Sequence, residues 1–509
     1  MSGQVDAEFL ALPLDACADA ALSRARELGA AHADVRVVSI LTAYTRVRDA
    51  RIEGSLLDDD RGLAVRVVVD GCWGFAASDR IDVDTARDLA DRAVALARIS
   101  APLSSTRVEL APEPVHVGTW VSAYDVDPFE VHEAERLELL TRRSAALNAH
   151  AAVSHSTASL HAVKERVHYA DLAGTRTTQQ RVRVESDVTA IAVDPRTGSF
   201  ETMGTTAPPA GRGWEYVTGA AATVGGARAW DWAEELAALP DHLHEKTLAP
   251  SVDPGRYDLV IHPTNLWLTI HESIGHATEL DRALGYEANY AGTSFATPDR
   301  LGSLQYGSSV MNVTGDRLVE HGLSTVGWDD EGVGAQRWDI VTDGVLVGYQ
   351  LDRSMAAEFG LPRSNGCAYA DSAGHTAIQR MPNVSLQPST DGPDLESLIG
   401  GVEDGIYIVG DKSWSIDMQR FNFQFTGQRF HRIRSGRLAG QLKDVAYQAT
   451  TTDFWGSLRA VGGESTYLLG GAFNCGKGQP GQVAAVSHGA PAAVFESVNV
   501  LNSAREAGR

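Results

Sequence analysis

Two histidines and a glutamate stand close together in the apolar segment HPTNLWLTIHESIGHATELDR, which begins at His262. His271, Glu272 and His276 form the pattern H-E-x-x-x-H within it. Imidazole nitrogens are common zinc ligands, and a glutamate beside a metal can act as a general base in hydrolysis. These residue types would suit metal-assisted hydrolysis if both rings could reach one ion.

The spacing of the two histidines is unusual for a zinc-binding helix. Leu266, Ile270 and Ile274 lie four residues apart, which predicts a helix with a buried face, and Thr264 is the expected N-cap. In the familiar H-E-x-x-H pattern the rings lie four residues apart on one face, whereas five residues turn a regular helix by roughly 500° and leave them about 140° apart.

An irregular helix would restore the alignment. A π-bulge absorbs one extra residue, and such bulges are concentrated at functional sites. Gly275, immediately before His276, is expected to supply the backbone freedom. We therefore predict a π-bulge, although the pattern alone also fits an ordinary helix with two satisfied polar residues in a chain that holds 16 histidines.

The elements around this helix predict an α+β protein. An N-terminal region of helices and antiparallel sheet is followed by a β-rich C-terminal domain that carries the one metal-binding helix. Proline-rich breaks divide the chain into units over residues 1–110, 111–249 and 250–509. The main predicted elements before residue 250 are helices at Leu14–Leu28, after Asp84, at Pro128–Asn148 and at Trp230–Leu239, with strands at Asp34–Val47, Gly62–Val69, Val153–His168 and Thr175–Val193.

The net charge of −22 argues against a nucleic-acid or anionic-membrane surface, because both need a basic face. The sequence MSGQVDAEFLALPLDACADAAL lacks the charged and apolar pattern of a signal peptide, and no run approaches 18 apolar residues. We expect a cytoplasmic protein with neither a nucleic-acid nor a membrane partner.

The four cysteines are scattered, and no C-x-x-C spacing indicates a disulfide framework or a zinc ribbon. Cys17, Cys72 and Cys367 are expected to be buried, inert thiols. Cys475 differs because it lies among glycines, which suit a tight loop close to a metal or substrate.

Several ordered motifs resemble the TldD/PmbA family of metallopeptidases. Weaker echoes occur in the N-terminal half at GLAVRV and GFAAS. The C-terminal motifs are the H-E-x-x-x-H helix, GTSF (Gly292–Phe295), WDDEG (Trp328–Gly332), RMPNV (Arg380–Val384) and CGKGQPGQ (Cys475–Gln482). Since the family's partner type, TldE or PmbA, lacks the metal motif, the chain resembles the metal-bearing TldD type.

The resemblance implies that His271, His276 and Cys475 bind Zn²⁺ and that Glu272 is the catalytic base. Two histidines and a cysteine, with a fourth position left open, are an established set of ligands for catalytic zinc. The resemblance also implies hydrolysis of unfolded or small peptides inside a narrow dimer cavity. The dimer would be a homodimer or a heterodimer with a metal-free paralogue.

Other polar residues near these motifs allow two interpretations. Glu279 and Asp281 either accept hydrogen bonds from a ligand imidazole or are solvated, and Lys477 either orients a substrate or is solvated. The acidic residues of WDDEG favour a turn over a second metal site. We interpret His375, His431 and His488 as structural.

Two other functions remain open on the sequence. The chain would be a non-catalytic, peptide-binding partner subunit if it held no metal, and it would be a zinc hydrolase of another amide if it cleaved small metabolites instead of peptides. No G-x-S-x-G sequence supports a serine nucleophile.

Overall fold

A computed structural model describes residues 3–194, 198–219, 230–478 and 481–506. Helices and sheets are mixed, and strands dominate the C-terminal half, so the predicted α+β class is confirmed. Among the described residues, no helix is both long and apolar enough to cross a bilayer.

The first half of the chain builds a sheet flanked by helices. Its order is β3-β2-β1-β5-β6-β4, with β7 on β6, and every pairing is antiparallel except that of β4 with β6. The elements are α1 (Ala7–Leu10), α2 (Leu14–Glu27), β1 (His32–Arg48), β2 (Arg51–Val69), β3 (Cys72–Ser78), α3 (Val83–Ser100), β4 (Val117–Val121), α4 (Glu133–Asn148), β5 (His155–Asp171), β6 (Arg176–Val193), β7 (Phe200–Gly204), α5 (Trp214–Thr218) and α6 (Trp232–Leu248).

The helices cover two apolar regions of this sheet. One core lies under α2 and α3, and a second lies under α4, α5 and α6. The β1–β5 pairing joins strands from residues 1–110 to strands from residues 111–249. The division between those two units stays a prediction.

In the second half the described residues form a seven-stranded sheet, a four-stranded sheet and two separate two-stranded pairs. The elements are β8 (Gly255–Ile261), α7 (Pro263–Ile270), α8 (Leu280–Ala283), β9 (Val313–Asp316), β10 (Arg337–Thr342), β11 (Val345–Leu346), α9 (Arg353–Glu358), β12 (Ala368–Tyr369), β13 (Ile378–Gln379), β14 (Asn383–Leu386), α10 (Leu395–Gly400), β15 (Asp404–Ile416), β16 (Asn422–Arg434), β17 (Arg437–Leu442), β18 (Val445–Thr450), α11 (Thr451–Gly456), β19 (Leu458–Val461), β20 (Leu468–Lys477), β21 (Gln482–Ala490), β22 (Ala493–Asn502) and α12 (Ser503–Glu506).

Helix α7 is the element that positions the site. The large sheet runs β15-β8-β22-β18-β16-β17, with β19 on β22, while β20 and β21 form a hairpin. Helix α7 follows directly from β8 and packs against β15, β14 and the β20–β21 hairpin. Leu266, Ile270 and Ile274, the predicted buried face, all belong to the main core of this half.

Several element boundaries differ from the sequence predictions. The strand predicted at Gly62–Val69 begins at Arg51, and the helix predicted at Pro128–Asn148 begins at Glu133. The N-cap of α3 is Asp82, whose carboxylate accepts a hydrogen bond from Thr85 N, so Asp84 lies within the first turn. The N-cap of α7 is His262 and not Thr264. Helix α6 continues through Pro240 to Leu248, because its second half is held by burial of residues such as Leu243.

Buried ion pairs connect the N-terminal sheet to the C-terminal half. Arg66 on β2 bonds to Asp34 on β1 at 2.8 Å and to Glu331 at 3.0 Å. Arg36 on β1 bonds to Asp330 at 3.1 Å. Breaking a buried pair leaves an uncompensated charge, so these contacts hold the two halves together.

Replacing Glu331 with glutamine should therefore weaken the join. The Glu331→Gln substitution keeps the shape but leaves Arg66 with the Asp34 carboxylate only, and we expect it to lower the free energy of unfolding by about 1–2 kcal/mol, because one hydrogen bond between charged groups is weakened. Urea unfolding measures the change. As a control, the exposed Glu396 on α10 should tolerate Glu396→Gln within about 0.5 kcal/mol. Equal effects at both positions would contradict the buried-pair explanation.

Candidate metal centre

Helix α7 passes into one π-helical turn at the predicted position. The α-helical part ends at Ile270, residues His271–Gly275 form the π turn, and the His276 N–H donates to His271 O, five residues back. The turn brings the rings of His271 and His276 to the same side of the helix, with their centroids 4.7 Å apart. The predicted π-bulge is confirmed.

Gly275 is needed in this turn because it has no side chain. Its φ of −52° and ψ of −62° are ordinary helical angles, so the expectation that it supplies backbone freedom was wrong. A Cβ atom at this position would lie 2.6 Å from Met381 Sδ, a distance that Cβ atoms essentially never show. The glycine therefore allows β14 and its preceding residues to approach the turn closely.

Side chains satisfy the carbonyl groups that the irregular helix leaves without regular partners. Buried carbonyls need hydrogen bonds, and the π turn interrupts the usual ladder. The donors are Ser273 Oγ to Thr269 O at 2.6 Å, Tyr306 OH to Ser273 O, Thr278 Oγ1 to Ile274 O at 2.8 Å and Gln350 Nε2 to Gly275 O at 2.5 Å.

The structure brings His271, His276 and Cys475 together. Their possible ligand atoms all lie within 4.8 Å of one another, and Cys475 Sγ is 3.7 Å from His276 Nε2. The three residues are only 3–6% exposed. Cys475 reaches the helix from β20, which pairs with β21 in the hairpin. Among the described residues, this is the one group of three such donors close enough for a metal ion.

A chain of hydrogen bonds fixes the tautomer of His271. Val384 O can only accept, so His488 Nδ1, 2.9 Å away, is the donor. Burial, followed by repulsion from His271, holds the pKa of His488 well below its usual range, so the ring is neutral and its Nε2 accepts. His271 Nδ1, 2.7 Å from that atom, therefore donates, and His271 Nε2 keeps a free lone pair.

His276 is oriented by a buried carboxylate. Its Nδ1 lies 2.8 Å from Glu279 Oε2, so the predicted interaction of Glu279 with a candidate ligand imidazole is present. Lys477 Nζ donates to Glu279 Oε1 and Asp281 Oδ1, each at 2.8 Å. Burial alone would raise the pKa of Glu279, but Lys477 and His276 hold it well below its usual range.

Lys477 is thus neither solvated nor available to a substrate. Its side chain is fully buried, and burial, which alone would lower its pKa, is outweighed by Asp281 and Glu279. Both sequence interpretations of Lys477 were wrong because the partner carboxylates lie almost 200 residues away in the chain. Lys477 acts on His276 through Glu279.

Arg380, from the RMPNV motif, holds the hairpin that carries Cys475. Its guanidinium donates to Cys475 O and, at 3.0 Å, to Gln482 O. These contacts span the end of CGKGQPGQ, in which residues 479–480 lie outside the described residues. Burial alone would raise the pKa of the Cys475 thiol, but the neighbouring His276 and then Arg380 bring it below its usual value.

Glu272 lies beside this cluster and bonds to a residue that the sequence did not point to. Its side chain is buried, and its Oε2 accepts from Arg420 Nη1 at 2.7 Å. Arg420 lies between β15 and β16, almost 150 residues further along the chain, outside every motif considered above. Its φ of +61°, rare for a residue with a side chain, was not readable from the sequence.

The remaining candidates have structural settings. Asp329 accepts backbone hydrogen bonds within the WDDEG turn, as predicted, although the turn is buried and not solvated. His431 stacks on Tyr407, and His375 bonds to Asp371, so neither joins the cluster. The other cysteines, like Cys475, form no disulfide and are buried. His488 is structural as predicted, but its bond to His271 was not foreseen.

Two family models match the chain over most of its folded regions. Residues 254–502 match the PmbA/TldA metallopeptidase C-terminal domain, and residues 33–97 match the PmbA/TldA metallopeptidase domain 1. The first match contains all three residues of the donor cluster, together with Glu272 and Arg420.

Similar proteins cover almost the whole chain. A metalloprotease from Methanothermobacter thermautotrophicus is 26% identical over 90% of this chain and 93% of its own. A zinc metalloprotease TldD homolog from Saccharolobus solfataricus is 22% identical over 92% and 96%. The crystal structure of TldE from Thermococcus kodakarensis matches 95% of this chain and 99% of its own with a TM-score of 0.69, and at 14% identity it shows a common fold.

The close contact at Gly275 predicts an unusual response to alanine. In a helix, glycine to alanine normally stabilises by up to about 1 kcal/mol. Here the new Cβ would collide with the buried Met381, so we expect Gly275→Ala to destabilise by about 1–3 kcal/mol. Thermal or urea unfolding measures this.

A double-mutant cycle tests the cause. In the background of Met381→Ala, the Gly275→Ala change should lose most of its cost, because the space is then free. A Cβ added at Gly400, in α10, would meet no atom within 4 Å, so Gly400→Ala serves as the control without a penalty. A cost at Gly275 that persists without the Met381 side chain would refute the steric explanation.

Proposed function

Because the chain belongs to the PmbA/TldD metallopeptidase family, we propose that it is itself a zinc-dependent peptidase of the metal-bearing TldD type. In this proposal His271, His276 and Cys475 hold Zn²⁺, and Glu272 is the general base. The observation that carries it is the buried cluster of two imidazoles and one thiol at the π turn, with a glutamate adjacent to it.

The donor set fits zinc in composition, and one pair of donors has the separation of two ligands in a tetrahedral zinc site. Zinc accepts imidazole nitrogen and thiolate sulfur, and bonds of about 2.0–2.1 Å and 2.3 Å in a tetrahedron separate a nitrogen from a sulfur by about 3.6 Å. Cys475 Sγ and His276 Nε2 are 3.7 Å apart. The hydrogen bonds of His271 and His276 through Nδ1 leave Nε2 of each neutral ring without a proton, which is the protonation state that a ligand needs.

The chain's own residues would perform the proton transfers of hydrolysis. Glu272 takes a proton from the attacking water and passes it to the leaving amine. Lys477 and Glu279 keep the His276 ring oriented, and the apolar surroundings exclude bulk water. A zinc ion bound by the cluster would act as a Lewis acid towards the water and the substrate carbonyl.

Burial of the site supports small or unfolded peptides as substrates. Glu272 is 5% exposed and Cys475 is 3% exposed, so a folded protein surface would not reach them. An extended peptide chain is thin enough to enter a narrow approach. Assays with short peptides, unfolded proteins and small-metabolite amides would separate a peptidase from a hydrolase of other amides.

We extend the proposal to the assembly and the compartment. We propose a dimer, either a homodimer or a heterodimer with a metal-free paralogue, which the mass of the native assembly would distinguish. We place the enzyme in the cytoplasm, because a reducing compartment keeps the Cys475 thiol available and all four cysteines are free. A nucleic-acid or membrane partner is not part of the proposal, given the acidic net charge of −22.

Cobalt substitution tests the third ligand. A thiolate bound to cobalt gives an intense near-ultraviolet charge-transfer band that imidazole and carboxylate ligands do not give. We expect this band in the wild-type protein and its loss in Cys475→Ser, which should also bind metal more weakly because an alcohol is a poorer donor than a thiolate. Cys17→Ser, Cys72→Ser and Cys367→Ser are the controls and should keep the band. A band that depends on one of those three would reassign the ligand.

Glu272→Gln tests the base and, with it, the proposed function. The purified wild-type protein should hold about one zinc per chain, and Glu272→Gln should keep the metal but lose most peptidase activity, since an amide cannot accept the proton. His276→Ala should lose the metal. Metal analysis and peptide hydrolysis measure both effects. A wild-type protein without bound metal would favour the non-catalytic partner subunit, and normal turnover of Glu272→Gln would remove Glu272 from the mechanism.

A further inference from the structure

Arg420 occupies a backbone position that the surrounding loops hold firmly. Its left-handed φ of +61° costs energy for a residue with a side chain. The Asp417 carboxylate secures the turn by accepting from Gln419 N at 3.1 Å and Phe421 N at 2.8 Å. Thr451 Oγ1 donates to Arg420 O at 2.8 Å. Strained positions of this kind persist where the surroundings determine them, and they cluster at active sites.

The GTSF motif ties this turn to the helix that carries the histidines. Thr293 N donates to Met418 O at 2.8 Å, and Ser294 Oγ donates to Ala277 O at 2.6 Å. Gly292 permits the approach, because a Cβ there would lie 2.0 Å from Met418 O. The position of Arg420 relative to Glu272 is therefore set by the motif and not by the arginine side chain alone.

The guanidinium of Arg420 has hydrogen-bond donors that no described residue uses. Nη1 bonds to Glu272 Oε2 at 2.7 Å, whereas Nε is buried and meets no acceptor among the described residues. Nη2 also has no acceptor in the described part of the chain, and the side chain remains 15% exposed, so the guanidinium can donate to an acceptor that arrives from outside. The charge also lies close to the cluster, because Glu272, to which Arg420 donates, directly follows His271 in the π turn.

We propose that Arg420 is a catalytic residue that donates a hydrogen bond to the carbonyl oxygen of the scissile peptide bond. This inference rests on the proposed peptidase function. Arg420 holds Oε2 of Glu272, and Oε1, which has no hydrogen bond to a described residue, takes the proton from water. The water oxygen bonds to the carbonyl carbon, and the carbonyl electron pair moves to the oxygen that faces Arg420.

In the remaining step the tetrahedral intermediate breaks down to a carboxylic acid and an amine. The carbon–oxygen double bond re-forms, the carbon–nitrogen bond breaks, and the amine leaves with the proton that Glu272 held. The hydrogen bond from Arg420 is strongest when the carbonyl oxygen carries negative charge. It therefore stabilises the transition state more than it stabilises the bound peptide. An arginine suits this role because it stays charged at every relevant pH and offers several fixed donors.

The test compares a tetrahedral analogue with the peptide itself. We would measure the affinity of zinc-loaded protein for a phosphinic peptide, in which a phosphinate replaces the scissile amide of a peptide that the wild type cleaves. Affinity for the uncleaved peptide would be measured in the Glu272→Gln background. The variants are Arg420→Gln and Arg420→Lys. Arg420→Gln removes the ion pair with the buried Glu272 and should destabilise the fold, whereas Arg420→Lys keeps the charge, so urea unfolding is used to show that each variant is folded under the binding conditions.

We expect Arg420→Gln to reduce kcat by about 100–1000-fold, the usual effect of removing one donor to an oxyanion. The phosphinate should bind more weakly by a similar factor, while the peptide should bind within about threefold of its normal affinity. Arg420→Lys should recover part of both losses together. Zinc content should not change. Arg434→Gln, at the exposed end of β16, is the matched control and should behave as wild type.

Three outcomes separate the possibilities. Unchanged phosphinate affinity in Arg420→Gln would overturn the proposal and leave Arg420 as a positioning residue for Glu272. Weaker binding of the peptide itself, restricted to peptides with a free terminal carboxylate and absent for their amides, would also overturn it. A wild-type protein that contains zinc but neither cleaves peptides nor binds the phosphinate would instead refute the proposed function. That result would not depend on the Arg420 variants.

Discussion

The extra residue between His271 and His276 is the constraint on which the rest of the centre depends. It forces a π turn, and the turn disturbs the hydrogen-bond ladder in a fully buried part of the chain. Gln350 and Tyr306 supply donors to carbonyls of the turn, and Met381 packs where a side chain at position 275 would stand. The surrounding loops therefore supply hydrogen-bond donors to the helix as well as packing against it.

A second constraint on the structure is that the charged side chains buried at the centre need partners. His276 bonds to Glu279 in the interior, and Glu279 bonds to Lys477, so each of these three buried side chains has a charged or polar partner. At the join with the N-terminal sheet, Arg66 and Glu331 follow the same logic. Such arrangements tolerate little change, because removing one member leaves the others without compensation.

The sequence predicts those parts of the site that depend on the spacing of residues close together in the chain. The five-residue interval was enough to predict the π turn, although the role of Gly275 depended on Met381, which is distant in the chain. Lys477 could not be interpreted correctly without knowledge of Glu279 and Asp281 as neighbours. Arg420 carried no signal in spacing or composition. Periodicity predicts elements, but the partners of a polar side chain are decided by how distant elements meet.

The distance along the chain between the donors also has a consequence for synthesis on the ribosome. Cys475 follows His276 by 199 residues, and His488 follows His271 by 217. At about 5–20 residues per second, the helix is made roughly 10–40 s before the thiol exists. The donor cluster therefore cannot assemble before Cys475 has been made, and a chain released before that point lacks it. An activity that depends on this cluster would begin only after translation has passed the final hairpin, which protects the nascent chain and its neighbours.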